Sequence, residues 1–379
     1  MSRKAAGTSR SDRGTPLKIA FYAPLKPHDH PVPSGDRLMA RQLLSCMELR
    51  GHTPVVASTL RTFLAEPDAE ALERQRQEGD DEARRLITAW ESSGDVPDLW
   101  FSYHNYYKAV DFIGPAVARR FDIPYVIAEG SYAPKRDRDD WAPHQAAALA
   151  GLEQASLHLC FTERDRKGLA QVTAAEKLAD FPPFVDVEPN RQHRGRNAVP
   201  VLVTVGMARP GKKLENFRQL AATLERIANL DWRLEVVGGG AAGEEARAAF
   251  GGLGDRVTWH GERPRESLFE VLARADLFVW PGFEEAYGLS YLEAQAHGLP
   301  VVARDEGGVS SVVRHGETGL LTPHGDEAAL ADAIASLVQD PSRRDRMGEA
   351  AKRFALEERS MEVAARRLDA LLQPLVARK

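Results

Sequence analysis

Apolar residues along this chain gather into short unbroken runs, separated by longer stretches with helical periodicity. The first run, Lys18-Ile-Ala-Phe-Tyr-Ala23, has the continuous apolar character of a parallel strand covered on both faces. Similar runs at Pro54–Ala57, Leu99–Tyr103, Tyr125–Ala128 and Leu157–Phe161 predict further strands. Helices are expected between them over Arg37–Leu49, which Gly51 ends, over about Ala65–Glu91 and over His144–Ala155. A second series opens at Val199–Val205, followed by a helix near Leu214–Ile227 and strands at Leu234–Val237, Val257–His260, Leu277–Trp280 and Val301–Arg304. Leu289–His297 reads as a helix stopped by Gly298 and Pro300. Three amphipathic helices, Glu327–Val338, Ser342–Glu358 and Met361–Leu375, follow. Alternation of this kind predicts an α/β fold of two Rossmann-like, doubly wound parallel sheets with ligands at the strands' carboxyl ends. Two such units facing each other would leave a cleft for a small molecule.

Composition narrows the class. The 379 residues suffice for two ordinary domains, and 43% hydrophobic with 28% charged residues is ordinary for a globular protein. A net charge of -5 gives no reason to expect nucleic-acid binding. Cys46 and Cys160 lie in apolar stretches and read as small core residues, with no disulfide or zinc pattern. No run approaches the roughly eighteen apolar residues that span a membrane, so a cytoplasmic protein is expected. Residues 1–16 are basic and Ser/Gly-rich without an apolar core, which reads as a disordered tail and not a signal peptide. The expected domains are 17–185 and 199–357, joined by a Pro-, Arg- and Asn-rich linker at 186–198, with a final segment at 358–379.

The stretch with most chemistry is Pro281–Gly308, PGFEEAYGLSYLEAQAHGLPVVARDEGG. Glu285 falls on the loop at a strand's carboxyl end, and Glu293 lies one helical turn past Leu289, looking back at the helix start. The amides of Tyr287, Gly288, Leu289 and Ser290 lie at that start, where a first turn offers N–H groups to a phosphate. Two carboxylates beside an anion site suit a ligand carrying both hydroxyls and phosphates, and a sugar nucleotide has both. The bland alternative is an acidic, solvated helix end.

E-A-Y-G-L-S-Y-L-E from Glu285, followed by A-x-A-x-G-x-P-V-V-A, resembles the donor-site signature of family-4 retaining glycosyltransferases with the GT-B fold. The resemblance runs from Lys18 to the C-terminus. It implies that Glu285 binds the donor sugar's hydroxyls and Glu293 the ribose hydroxyls, and that the last helix crosses back onto the first domain. Relatives carry Arg directly after the Gly that matches Gly206, with Lys five or six positions beyond that Arg. Here Met207 takes the Arg position, Arg209 follows two residues later, and Lys212 and Lys213 both fall at Lys spacings. Arg209 with Lys213 is the favoured pair for the leaving diphosphate, against a plain solvated basic turn. Gly35, in Ser34-Gly35-Asp36, either lets backbone approach a donor phosphate or acceptor, or belongs to a helix start capped by Ser34 or Asp36. Gly238-Gly239-Gly240 and Gly261 end strands where a nucleotide's ribose or base needs close backbone approach. Many relatives hold a sugar-contacting His after the strand matched by Tyr125–Ala128, where this chain has Glu129, so either Glu129 takes that role or His104 reaches over from the neighbouring loop.

The expected reaction is transfer of a sugar from a nucleotide-diphosphate donor to a hydroxyl acceptor, with retention and without cofactor or metal. His28-Asp29-His30 lacks the defined partners of a metal site. Rival readings are a nucleotide-sugar isomerase or hydrolase on the same frame, or a non-catalytic sugar-nucleotide binder, for which Met207 and the missing His speak. The acceptor is open between a polysaccharide end, a lipid and a small metabolite. The basic tail and Arg191, Arg194 and Arg196 would suit weak peripheral attraction to an anionic membrane, against the plainer reading of a solvated linker.

Overall fold

The computed structural model describes residues 14–187 and 197–377. The expected tail through residue 13 and the linker arginines Arg191, Arg194 and Arg196 lie outside the described residues. Contacts divide the chain into two units, one running to Pro182 and resuming at Met361, the other Pro183–Ser360.

The first unit alternates β1 (Lys18–Tyr22), α1 (Gly35–Leu49), β2 (Thr53–Ser58), α2 (Ala69–Ser93), β3 (Leu99–Asn105), α3 (Gly114–Phe121) and β4 (Tyr125–Gly130). It continues with α4 (Ala142–Gln154), β5 (Leu157–Cys160), α5 (Glu163–Leu169) and β6 (Leu178–Asp180). All pairings are parallel, in the order β2-β1-β3-β4-β5-β6. Every residue of β3 and β5 is buried, the polar Ser102, His104, Asn105 and His158 included. Side chains cap the helix starts: Ser34 Oγ accepts from the Arg37 N–H, Asp68 from the Ala71 N–H and Thr162 from the Asp165 N–H. The Asp68 cap after Pro67 explains why α2 begins at Ala69 and not at Ala65.

The second unit runs β7 (Val201–Val205), α6 (Lys212–Glu225), β8 (Arg233–Val237), α7 (Gly243–Ala249), β9 (Val257–Gly261), α8 (Arg265–Arg274) and β10 (Leu277–Val279). Then follow α9 (Leu289–Ala296), β11 (Val301–Arg304), β12 (Gly319–Thr322), α10 (Glu327–Gln339) and α11 (Pro341–Arg353). Its sheet is again parallel, ordered β12-β11-β10-β7-β8-β9. Read from β9, this is the order 3-2-1-4-5-6 of dinucleotide-binding domains, reversing between β7 and β10. The expected helix Ser342–Glu358 is in fact α11 followed by a π turn, Phe354–Glu358, that widens its end. Among the described residues no helix is long and apolar enough to cross a membrane.

The last helix, α12 (Met361–Val376), packs on α1 of the first unit. Its polar anchor is Asp369, whose carboxylate accepts from Arg50 Nε at 3.1 Å and Gln373 Nε2 at 3.0 Å, with His52 Nε2 at 3.3 Å. Burial pushes the Asp369 carboxyl up, but the hydrogen bonds from Gln373 and Arg50 and the nearby positive charge outweigh it and hold it below its ordinary value. A carboxylate lowered on folding stabilises above its unfolded pKa and loses that contribution as pH falls through the folded value. Asp369→Ala would remove the buried carboxylate that Arg50, His52 and Gln373 share, so a loss of about 3–5 kcal/mol at neutral pH is expected in denaturant unfolding. A loss below about 1 kcal/mol would contradict the anchor.

Candidate functional site

At the reversal point of the second sheet, the loops leaving β7 and β10 lead into the starts of α6 and α9. The β10 loop folds round Tyr291, a fully buried ring on α9. Gly282 and Gly288 both have left-handed backbones (φ 79° and 78°), and a Cβ on either would lie 2.6 Å from the Tyr291 side chain. Buried Asn216 of α6 clamps the loop: its Oδ1 accepts from the Phe283 N–H at 2.8 Å, and its Nδ2 donates to the carbonyls of Phe283 (3.1 Å) and Lys212 (2.9 Å). On the other side a Cβ on Gly307 would fall 2.0 Å from the Glu285 carbonyl oxygen.

That loop delivers Glu285 to Lys213. The Lys213 ammonium ion-pairs with Glu285 Oε1, which also accepts from Trp280 Nε1 at 3.1 Å. Lys213 Nζ lies 5.8 Å from the centroid of the Trp280 ring, a cation–π contact. Lys212 pairs instead with Glu284, in a more exposed position. The structure therefore separates the two lysines that spacing left open. Arg209 Nη2 lies 3.1 Å from Met207 Sδ, so its guanidinium folds back toward the residue that stands in the family's Arg position. Neither α6 nor α9 has a side-chain cap: Gly211 and Gly288 precede them. Tyr287 is buried beside that start, and the first backbone bond of α9 runs from the Tyr291 N–H to the Gly288 carbonyl, beyond the amides of Gly288, Leu289 and Ser290.

Glu293 is 7% exposed, and its partner is Arg265 at the start of α8, with Nη2 3.1 Å from Glu293 Oε1. Burial pushes the Glu293 carboxyl up, and the charge and hydrogen bond of Arg265 oppose the rise. Glycines 238–240 carry the sheet hydrogen bonding past its strand ends. The Ala208 N–H donates to the Gly239 carbonyl at 2.8 Å and the Gly238 N–H to the Gly261 carbonyl at 2.9 Å. Gly238 has φ 135°, and a Cβ there would stand 1.9 Å from the Gly206 carbonyl oxygen. Gly261 has φ 67° with open space where a Cβ would point.

In the first unit, His104 and Glu129 end adjacent strands in the left-handed region, φ 70° and 54°, which non-glycine residues adopt at an energetic cost. His104 is 6% exposed, with Nε2 3.8 Å from Asp36 Oδ1 and 4.0 Å from Glu129 Oε2. Its Nε2 has no hydrogen-bond partner among the described residues. Burial pushes the imidazole down to about 4 against the pull of the Asp36 charge, so the ring is neutral at pH 7. His104 and Glu129, offered by the sequence as alternatives, therefore stand together. Ser34, not Asp36, caps α1, and Gly35 faces open space. The carbonyls of His28 and His30 accept from Arg41 and Arg37. Among the described residues no group of three His, Cys, Asp or Glu could hold a metal ion.

Residues 186–354 match the family described as glycosyl transferases group 1. The D-inositol 3-phosphate glycosyltransferase of Kribbella flavida is 33% identical over 287 residues, covering 68% of each chain. The chain belongs to the group 1 glycosyl transferases. Two solved structures share its fold of paired parallel sheets. Sucrose-phosphate synthase from Thermosynechococcus elongatus has a TM-score of 0.72 at 21% identity, covering 96% of this chain and all of that one. Anabaena HepE in complex with UDP and glucose has a TM-score of 0.68 at 18% identity, covering 94% of this chain and all of that one.

Three residues of this glycosyltransferase's site went unread in the sequence. Asn216 is the fourth residue after Lys212, a spacing that returns its amide to the helix start. Trp280 was legible only as a strand end, and Arg265 only as a polar residue after Pro264. Asn216→Ala would leave the backbone groups of Phe283 without their side-chain partner. A loss of about 1–3 kcal/mol in thermal unfolding is expected, and an unchanged midpoint would show that the clamp does not hold the loop.

Proposed function

We propose that this glycosyltransferase moves a sugar from a nucleoside-diphosphate donor to an acceptor hydroxyl, with retention at the anomeric carbon and without a divalent metal. The observation that carries this reading is the Lys213–Glu285–Trp280 cluster, set between two helix starts that lack side-chain caps, at the reversal point of the sheet. In the unliganded arrangement Lys213 neutralises Glu285. A bound diphosphate draws the ammonium to itself, which frees the carboxylate to accept the sugar's hydroxyls. Lys213, Arg209 and the amides of Gly288 and Leu289 then compensate the charge that develops on the leaving phosphate. The bond from the anomeric carbon to the phosphate oxygen breaks, the acceptor oxygen bonds on the same face, and its proton passes to the departing phosphate. Glu293 takes the ribose hydroxyls, and the backbone at Gly238 and Gly261 lies along the nucleoside.

The UDP and glucose named in the HepE complex support a uridine donor as the first to try. The name of the Kribbella relative supports a phosphorylated cyclitol as one acceptor. Thermal unfolding against UDP, GDP, ADP and their sugars, in EDTA, tests the donor class. One nucleotide at a hundred times its dissociation constant should stabilise wild type by about 2.7 kcal/mol, and Glu293→Ala should lose that shift. No shift with any nucleotide would overturn the donor reading. Lys213→Ala should lower kcat by about 10²–10³-fold and leave the fold intact. Proton NMR of the product should show the anomeric configuration of the donor, and an inverted product would refute retention.

A further inference from the structure

Arg265 answers a problem that Glu293 creates. A carboxylate removed from water protonates or turns away unless a cation and hydrogen bonds hold its charge. The guanidinium is itself held: Nη2 donates to the Asp186 carbonyl at 2.9 Å while lying 3.1 Å from Glu293 Oε1, and the group stacks 5.0 Å from the Phe269 ring centroid. Joining two helices does not require such a pair, since buried ion pairs add little stability over apolar packing of the same volume. Among the described residues Arg265 Nε is buried without a hydrogen-bond partner. The arrangement places one guanidinium, held by backbone, on one carboxylate oxygen.

We propose that Arg265 is a positioning residue for the nucleotide's ribose: anchored by the Asp186 carbonyl, it fixes the charge and orientation of Glu293 so that the carboxylate receives both vicinal hydroxyls. This rests on the reading that Glu293 is the ribose ligand. A planar guanidinium fixes a carboxylate's orientation where an ammonium supplies charge alone, so Arg265→Lys restores only part of the effect.

The readout is the ratio of affinities for a nucleoside diphosphate and its 2′-deoxy analogue, measured by calorimetry on the full chain with the nucleotide that stabilises wild type. Wild type should prefer the ribonucleotide by roughly 10–100-fold, the range for a hydrogen bond to a charged group. Arg265→Ala and Arg265→Gln should reduce that preference to about threefold or less, Arg265→Lys should fall between, and Glu293→Gln should remove it, with no further change on adding Arg265→Ala. A merely structural arginine would weaken both nucleotides alike and leave the ratio unchanged. A retained ratio in Arg265→Gln with folding intact overturns this inference alone. Failure of wild type to bind any nucleotide overturns the donor reading and this inference with it.

Discussion

Strands β7 and β10 lie side by side in a parallel sheet, while the connections that follow them lead to opposite faces. That reversal is the constraint on which the proposed donor site depends. It leaves the ends of the two strands uncovered by either helix and brings two helix starts to one opening. What the sequence then supplies is modest: glycines where loops must turn sharply, an asparagine to clamp them, and charges set on rigid starts. Lys213 stands on the first turn of α6 and Glu285 on the loop before α9, so the ion pair between them joins the two sides of the reversal.

Electrostatics gives the two carboxylates different surroundings. Glu285 keeps part of its surface in water, and its partner is an ammonium on a flexible stem that can follow an incoming phosphate. Glu293 is buried, and its partner is a guanidinium tied to backbone. In the proposed mechanism one pair exchanges partners and the other stays fixed. This is the division a long ligand requires when one end reacts and the other is only held.

Apolar-rich strands and helices with clear stops are legible because burial on both faces leaves few polar residues to blur them. Six short elements, α3, α5, α7, α8, β6 and β12, are not, since a helix of seven to ten residues or a strand of three or four that lacks an unbroken apolar run or a clear stop shows too little of its period. In the site, glycines and acids could be read because their spacing follows the chain. Lys213 could not be separated from Lys212, because only the pairing with Glu285 distinguishes them. The left-handed backbones of His104 and Glu129 left no mark, as neither residue type signals that conformation. Asn216 and Arg265 were invisible for a different reason: each acts on a residue far along the chain, and no local pattern records the contact.

The most direct test of this account is a structure of the protein with a nucleoside diphosphate bound in the absence of divalent metal. The Lys213 ammonium is expected on the diphosphate and no longer on Glu285, phosphate oxygens on the amides of Gly288 and Leu289, and ribose hydroxyls on Glu293 with Arg265 unmoved. A nucleotide bound elsewhere, or a diphosphate in this place with Lys213 still on Glu285, would contradict it.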